Sequence, residues 1–436
     1  MDLAAHDPIL NPPVAVRDIA HQLERAGFET WCVGGAVRDA LLGLPHLDWD
    51  LATAATPDQV RQLFRRTVPV GEAFGTMGVL DSDGVVHEVT TFRHDVRTDG
   101  RHAEVAFGAS LDEDLARRDY TINAIAWSPS QQRLHDPFGG RDDLVRGLVR
   151  AVGDAPQRMK EDYLRALRAL RFAGRFSFTI EPATWGAIQA SVSALDQLSK
   201  ERVQQELVKT LMQVRHPSRS LQLWKRSGAL GALLPLLAAL PETRLYAADS
   251  PALPESTNNP GRARRRMLVR LGALLVGVPR DGVVTMLRGL RFAKREVDRL
   301  AHLTAMAGRV GPLLGSGQTV NDITLREWAA AAGRVDLADV LRIATAVLHA
   351  EGITSPPDRR RLGSVYRRAV RCAWRDPVEI SDLAVDGEDL LREAGIAAGP
   401  PVGATLRALR DWVIQDPARN RRDALIQRAR TPDLAS

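Results

Sequence analysis

The sequence predicts a mixed α/β head followed by an extended helical body, and three observations carry that expectation. Over residues 14 to about 150, short apolar runs alternate with helical patterns. From 155 to 436, Leu, Ala and Arg recur at helical spacing with few β-branched runs. A chain of 436 residues also exceeds one ordinary core, so two to four structural units are expected.

Within the head, Trp31-Cys32-Val33 reads as a strand running into Gly34-Gly35, and Ala36 to Leu42 follows with a helical pattern. Two glycines let backbone N–H groups approach an anion, and a helix start adds partial positive charge. Arg38, one turn in, is placed to reach the same phosphates. Next, Leu47-Asp48-Trp49-Asp50-Leu51 alternates apolar and acidic residues. On a strand, Asp48 and Asp50 share one face while Leu47, Trp49 and Leu51 turn to a core. Two such carboxylates start about 7 Å apart along the backbone and converge at their tips. At about 4 Å and an effective dielectric near 20 they repel by roughly 4 kcal/mol. The pair wants a cation, and hard oxygens suit Mg²⁺. Taken alone, Asp-X-Asp is more often a solvated strand face; the phosphate cradle just upstream favours the metal. Asp81-Ser82-Asp83-Gly84 then reads as a hairpin loop before a strand from Val85 to Phe92. Glu88 joins the acidic pair if these strands are neighbours.

Composition narrows the function classes. The apolar fraction of 44% and charged fraction of 26% are those of a globular protein. No run of about 18 uncharged apolar residues predicts a membrane span. Met1 to Pro13 lack the basic-then-apolar order of a secretory signal. Cys32 and Cys372 lie far apart without metal-ligand spacing, which argues against a disulfide framework or zinc site and for the cytoplasm. The net charge of +6 is almost entirely arginine on the positive side, the lysines being Lys160, Lys200, Lys209, Lys225 and Lys294. Arginine binds phosphate bidentately and stacks on bases, so a nucleic-acid partner fits, as does a GC-rich coding sequence. A head without lysine excludes a Walker-type loop there. Farther on, Ala247 to Arg266 reads as a surface loop and Ile353 to Arg361 as a second break.

Three stretches occur in a telling order. Gly34-Gly35-Ala36-Val37-Arg38-Asp39 with Asp48-Trp49-Asp50 comes first, then Arg117-Arg118-Asp119-Tyr120-Thr121-Ile122-Asn123-Ala124, then Glu161-Asp162-Tyr163-Leu164-Arg165-Ala166-Leu167-Arg168. Together they resemble the bacterial and eukaryotic (class II) CCA-adding enzyme and poly(A) polymerase family of the DNA polymerase β superfamily. The match is close over roughly residues 28 to 210. The resemblance implies a nucleotidyltransferase head with a small mixed β-sheet over 14–150. An elongated all-α neck over 151–213, body over 214–290 and tail over 291–436 would follow. It implies addition of C and A to the 3′ end of tRNA from CTP and ATP, without a nucleic-acid template. The tRNA acceptor arm would be the partner, with no membrane involved.

Carried over residue by residue, the resemblance makes Asp48 and Asp50 the ligands of two Mg²⁺ ions and Glu88 the third acidic residue. Gly34 and Gly35 would form the cradle, with Gly35, Arg38 and Arg118 on the triphosphate or ribose. Asp119 and Asn123 would support that strand and turn. Asp162 and Arg165, three apart on a helix, would read the Watson–Crick edge of the incoming base. Arg168 would contact phosphate; Arg171 carries less weight, since helical geometry turns it nearly opposite Asp162. Arg93 to Arg101 resembles the loop that lets family enzymes switch from C to A addition, although Arg97 and Ala103 depart from its usual residues. Glu201 and Arg202 resemble a neck helix that braces the reading helix.

Other readings remain: a poly(A) polymerase or an enzyme adding only the terminal A, within the same family. More remote are an HD-type phosphohydrolase, suggested by His94-Asp95 and His135-Asp136, and a non-catalytic RNA-binding protein. The first pair lies in the loop and the second reads as a strand end and turn, whereas a decayed site would break the acidic pair. Arg262 to Arg266, Arg359 to Arg361 and Arg419 to Arg422 are the basic clusters expected to meet RNA.

Overall fold

The computed structural model describes residues 10–45, 48–98, 103–249 and 259–431. The chain divides into two compact units, one of residues 1–206 and 219–235, the other of residues 207–218 and 236–436.

The first unit is built on a sheet whose strands are β1 (Thr30–Val33), β2 (Asp50–Thr53), β3 (Thr67–Gly71), β4 (Thr76–Leu80), β5 (Val86–Thr91), β8 (Ala126–Ser128) and β9 (Arg133–His135). Their order is β3-β4-β5-β2-β1-β8-β9, with β2 and β5 parallel and the other neighbours antiparallel. This is the small mixed sheet that the sequence predicts. β1 is buried throughout because it lies between β2 and β8.

The acidic strand is shorter than expected. It begins at Asp50, so Asp48 and Trp49 precede it, and Leu47 lies outside the described residues. Trp49 and Leu51 are nevertheless buried, as the alternation requires. Ala52 and Thr53 are buried as well, because β2 is an inner strand. The Asp81–Gly84 turn is as predicted: Asp81 N–H donates to the Val85 carbonyl, and Gly84 takes φ +80°. The loop expected from Arg93 is instead a two-stranded ribbon, β6 (Arg93–Thr98) with β7 (Ala103–Phe107). Its residues 99–102 lie outside the described residues.

Helix α1 (Val14–Arg25) packs on the sheet, and α2 (Gly35–Leu41) starts directly after β1. Two helices follow the sheet, α6 (Ala155–Glu161) and α7 (Leu164–Phe176), and α9 (Lys200–Gln213) comes later; α3 (Pro57–Leu63), α4 (Leu111–Ala116), α5 (Gly140–Arg146) and α8 (Pro182–Ala190) complete the order. A short strand, β11 (Thr179–Ile180), lies in the neck where only helices were expected and pairs in parallel with β10 (Leu148–Val149) at the end of the head.

The second unit is helical. Its main apolar core includes Leu303, Val310, Leu341 and Ile343; a smaller one gathers Leu390, Leu409 and Leu425. The predicted loop to Arg266 ends early, because Asn259 caps a helix over Pro260–Leu275. The break at 353–361 is also shorter: Pro356 begins a helix to Arg375, with a Ser355–Asp358 capping box. No helix among the described residues is long and apolar enough to cross a membrane.

Candidate active site

A cavity of about 410 Å³ opens in the first unit where β1, β2, α2 and α7 meet. Most of the residues singled out in the sequence line it: Gly34, Gly35, Arg38, Asp50, Arg118, Asp119, Asn123, Asp162, Arg165 and Arg168. Asp48, Glu88 and Arg171 do not.

The glycine turn has a steric reason. Gly34 sits at φ +76° and ψ −133°, a conformation side chains rarely adopt, and a Cβ there would come within 2.9 Å of the Arg118 guanidinium. The turn thus lets arginine and backbone approach one another at the cavity floor.

The carboxylates form one edge. The parallel pairing sets Leu51 opposite Val89, which places Glu88 beside Asp50. Asp50 is pushed up to about 6, chiefly by burial, then by Glu88 and Asp48, against the opposing pull of Arg118. Among the described residues no three His, Cys, Asp or Glu converge closely enough to ligate one ion. Glu88 acts on Asp50 through its charge. Cys32, paired with Leu51 across the strands, is held protonated by burial and by Asp50, so it is no nucleophile here.

Opposite lies a wall of arginines, each with a protein partner. Arg38 is buried, bonded to Asp39 at 2.6 and 2.8 Å and to Asn123 at 2.5 Å, and lies over the rings of Phe172 and Phe176 at 5.1 and 4.8 Å. Burial lowers its basicity while Asp39 opposes. Arg118 donates to Asp114 at 3.0 Å. Arg168 donates through Nε to Asp119 at 2.7 Å. Burial works to raise the Asp119 carboxyl, but Arg168 and the N–H groups of Asn123 and Tyr120 carry it below the ordinary range. The Asp119 carboxylate accepts from the Asn123 side chain at 2.8 Å and from the Tyr120 N–H at 2.9 Å.

The Asp162–Arg165 pair is not formed as the helical spacing suggested. Asp162 has left the helix, with φ −156°, and breaks α6 from α7. Its carboxylate accepts from the Leu164 N–H at 3.0 Å and from Arg202 at 2.7 Å. Arg165 instead donates to Glu161 at 2.6 Å and to the carbonyls of Arg158 and Arg117 at 3.0 Å each. Both still line the same cavity. Arg171 turns away into a buried ion pair with Glu206 at 2.7 Å.

Phe172 and Arg117 line the cavity and were not singled out as site residues. Phe172 supports Arg38, Arg168 and Arg171, at 5.1, 5.2 and 4.5 Å from its ring centre. It lies four residues after Arg168, on the same face of α7. The decoys fall away. Asp136 caps Gly140 and Arg141 through backbone N–H bonds at 2.8 Å, so it is a turn residue, and His94-Asp95 belongs to the ribbon.

Comparison with known proteins agrees with this geometry. Residues 30–150 match the family model "Poly A polymerase head domain", 177–240 "Probable RNA and SrmB- binding site of polymerase A", and 325–429 a tRNA nucleotidyltransferase domain 2. The CCA-adding enzyme of Limosilactobacillus fermentum is 34% identical over 430 residues, covering 95% of each chain. That of Geobacillus stearothermophilus is 34% identical over 431 residues, covering 95% of this chain and 96% of the relative. Among solved structures, the Bacillus stearothermophilus CCA-adding enzyme in complex with CTP superposes with a TM-score of 0.78 at 32% identity, covering 97% of this chain and 99% of that one. The Thermotoga maritima CCA-adding enzyme complexed with tRNA shares the fold, with a TM-score of 0.66 at 21% identity, covering 96% and 95%. With the glycine turn, Asp50 and the arginine wall in one cavity and a full-length likeness at this level, the chain belongs to the CCA-adding enzyme family.

Proposed function

We propose that this chain completes the 3′ end of tRNA, adding C and then A from CTP and ATP without a nucleic-acid template. The observation that carries the reading is the single cavity joining the Gly34–Gly35 turn, Asp50, the arginine wall and the two base-reading candidates, Asp162 and Arg165. Asp50 and Asp48 would hold two Mg²⁺ ions, and Glu88 would strengthen their charge. The donor set fits: hard carboxylate oxygens on one edge, with Asp50 raised chiefly by burial and then by the like charges of Glu88 and Asp48. When bound, such ions favour the ionised 3′-hydroxyl and neutralise charge on the departing pyrophosphate.

The remaining work belongs to the chain. The backbone at Gly34 and Gly35 and the guanidinium of Arg118 receive the triphosphate. Arg168 uses only Nε on Asp119, so its terminal N–H groups remain for an incoming anion. Arg38 is more fully engaged and orients Asn123 and α2. Asp162 accepts from the exocyclic amino group that C and A share, and Arg165 donates to a ring nitrogen, which together select against U and G. Arg165 must exchange its Glu161 contact to do so. The head is assigned to 14–150, the neck to 151–213, the body to 214–290 and the tail to 291–436, with the reaction in the cytoplasm.

Primer extension tests the reading. Transcripts ending before CCA, after the first C and after CC are given CTP, ATP or both, and products are resolved to one nucleotide. Full CCA on the shortest transcript, stopping there, supports the proposal. A single A confined to the CC-ending transcript means an A-adding enzyme; long A tails mean a poly(A) polymerase; no extension overturns it.

A further inference from the structure

The second unit holds a cavity of about 440 Å³ that none of the reactions above uses. Its volume is within the range of small-ligand sites, roughly 300–1,000 Å³. Four guanidiniums line it, those of Arg265, Arg299, Arg334 and Arg342, and no carboxylate does. Asp339, 1% exposed, fixes three of them, accepting from Arg265 at 2.8 Å, Arg342 at 3.0 Å and Arg299 at 3.2 Å. Arg299 also donates to Asp336 at 2.7 Å, and Arg334 donates to Asp382 at 2.5 Å and lies over the ring of Trp374 at 5.5 Å.

Trp374 is unusual in its setting. It is 59% exposed, although a tryptophan face is among the largest apolar surfaces a protein can bury. It projects from the helix Pro356–Arg375, which also supplies Tyr366 and Val370 to the cavity. Arg360, Arg367 and Arg371 of that helix are exposed, and their spacing of seven and four residues sets them in one stripe, ending three residues later at Trp374. A free mononucleotide would have no use for a stripe of positive charge continuing beyond the cavity. A polyanionic strand would.

We propose that this cavity captures one unpaired nucleotide of the RNA substrate. Its base would stack on Trp374, its phosphate would meet Arg334 and its neighbours, and the adjoining backbone would follow the Arg360–Arg367–Arg371 stripe. The proposal rests on the RNA-processing reading above. The cavity shares Arg265 with the basic cluster expected at Arg262 to Arg266, and the stripe shares Arg360 with the one expected at Arg359 to Arg361. Elsewhere in those clusters Arg264 binds Glu296, and Arg422 binds Glu393 and Asp389.

The test measures equilibrium binding of a tRNA transcript to the full chain carrying Trp374→Ala, Trp374→Phe or Arg371→Ala. Trp374→Ala should weaken binding about tenfold, from the lost stack, and Trp374→Phe should restore most of it. Arg371→Ala should flatten the dependence of log Kd on log salt by about one unit. The KM for CTP and the addition rate at saturating tRNA should not move, and the thermal midpoint of Trp374→Ala should match the parent. An unchanged tRNA affinity in Trp374→Ala overturns the proposal, as does Trp374-dependent binding of free AMP or CMP without an effect on tRNA. If the parent chain binds tRNA through Trp374 yet adds no nucleotide, the RNA site stands and the CCA-adding reading fails.

Discussion

The two sides of the active cavity solve opposite electrostatic problems. On the arginine wall each charge is matched within the chain: Arg118 by Asp114, Arg165 by Glu161, Arg168 by Asp119, at 3.0, 2.6 and 2.7 Å. On the acidic edge, Asp50 is surrounded chiefly by like charge and by burial, and its proton is held up to about pH 6. The wall is therefore pre-organised, with donors fixed in place and spare N–H groups facing the cavity. The edge carries an excess of like charge that a bound cation would offset.

The largest effect is expected from altering that edge. Asp50→Asn should reduce nucleotide addition to background while tRNA binding survives, and Asp48→Ala should do the same. The stability effect has the opposite sign. The native Asp50 binds its proton more tightly than the unfolded chain does, its ordinary value being 3.8 and its folded value about 6. Stability is therefore fully favoured below about pH 4 and lost as pH rises through 6. At pH 8 and without divalent ions, Asp50→Asn should melt above the parent. Adding Mg²⁺ should raise the parent's Tm and leave the variant's unchanged. Equal Mg²⁺ responses would detach Asp50 from the metal.

Next in size is the anchor of the wall. Arg171 and Glu206 form an ion pair only 4% and 1% exposed, at 2.7 Å. Removing one partner strands a buried charge, so Glu206→Ala should cost about 3–5 kcal/mol of unfolding free energy by chemical denaturation. A cost below about 1 kcal/mol would mean that water reaches Arg171 once its partner is gone.

Much of the edge was legible from local pattern. The strand Trp31-Cys32-Val33 announces itself as a short apolar run, the Glu88 strand through the hairpin turn before it, and the cradle through glycine at a required positive φ. The wall was legible in its members and not in its bonds. Glu161 to Arg168 contains no Pro or Gly, so nothing local marks the break at Asp162. The break is held by Arg202, forty residues on. Likewise Arg262 to Arg266 reads as a solvated charge run, but the acceptors of Arg264 and Arg265 lie 32 and 74 residues away. Phe172 sits among apolar residues of an amphipathic helix and reads as core. Its role as the floor under three guanidiniums is a tertiary fact.

The smallest effect should come from the link between wall and reading residues. Arg202 donates to Asp162 at 2.7 Å, and both side chains are about 30% exposed, so the bond contributes little to stability. Its contribution is to direction: it holds one carboxylate oxygen while the other caps Leu164. Asp162→Ala removes the acceptor itself and should relax choice among the four nucleotides by roughly tenfold, the scale of one base-edge contact. Arg202→Ala leaves the acceptor in place but free to turn, and its loss should be a few-fold at most. Arg202→Lys should recover part of this, because a lysine can still donate but lacks the rigid, planar guanidinium. Competition between CTP and UTP on a transcript ending before CCA measures all three. Selectivity that falls with Asp162→Ala and not with Arg202→Ala would mean that the helix break alone aims the carboxylate. Equal losses would make Arg202 as necessary to base choice as the acceptor it holds.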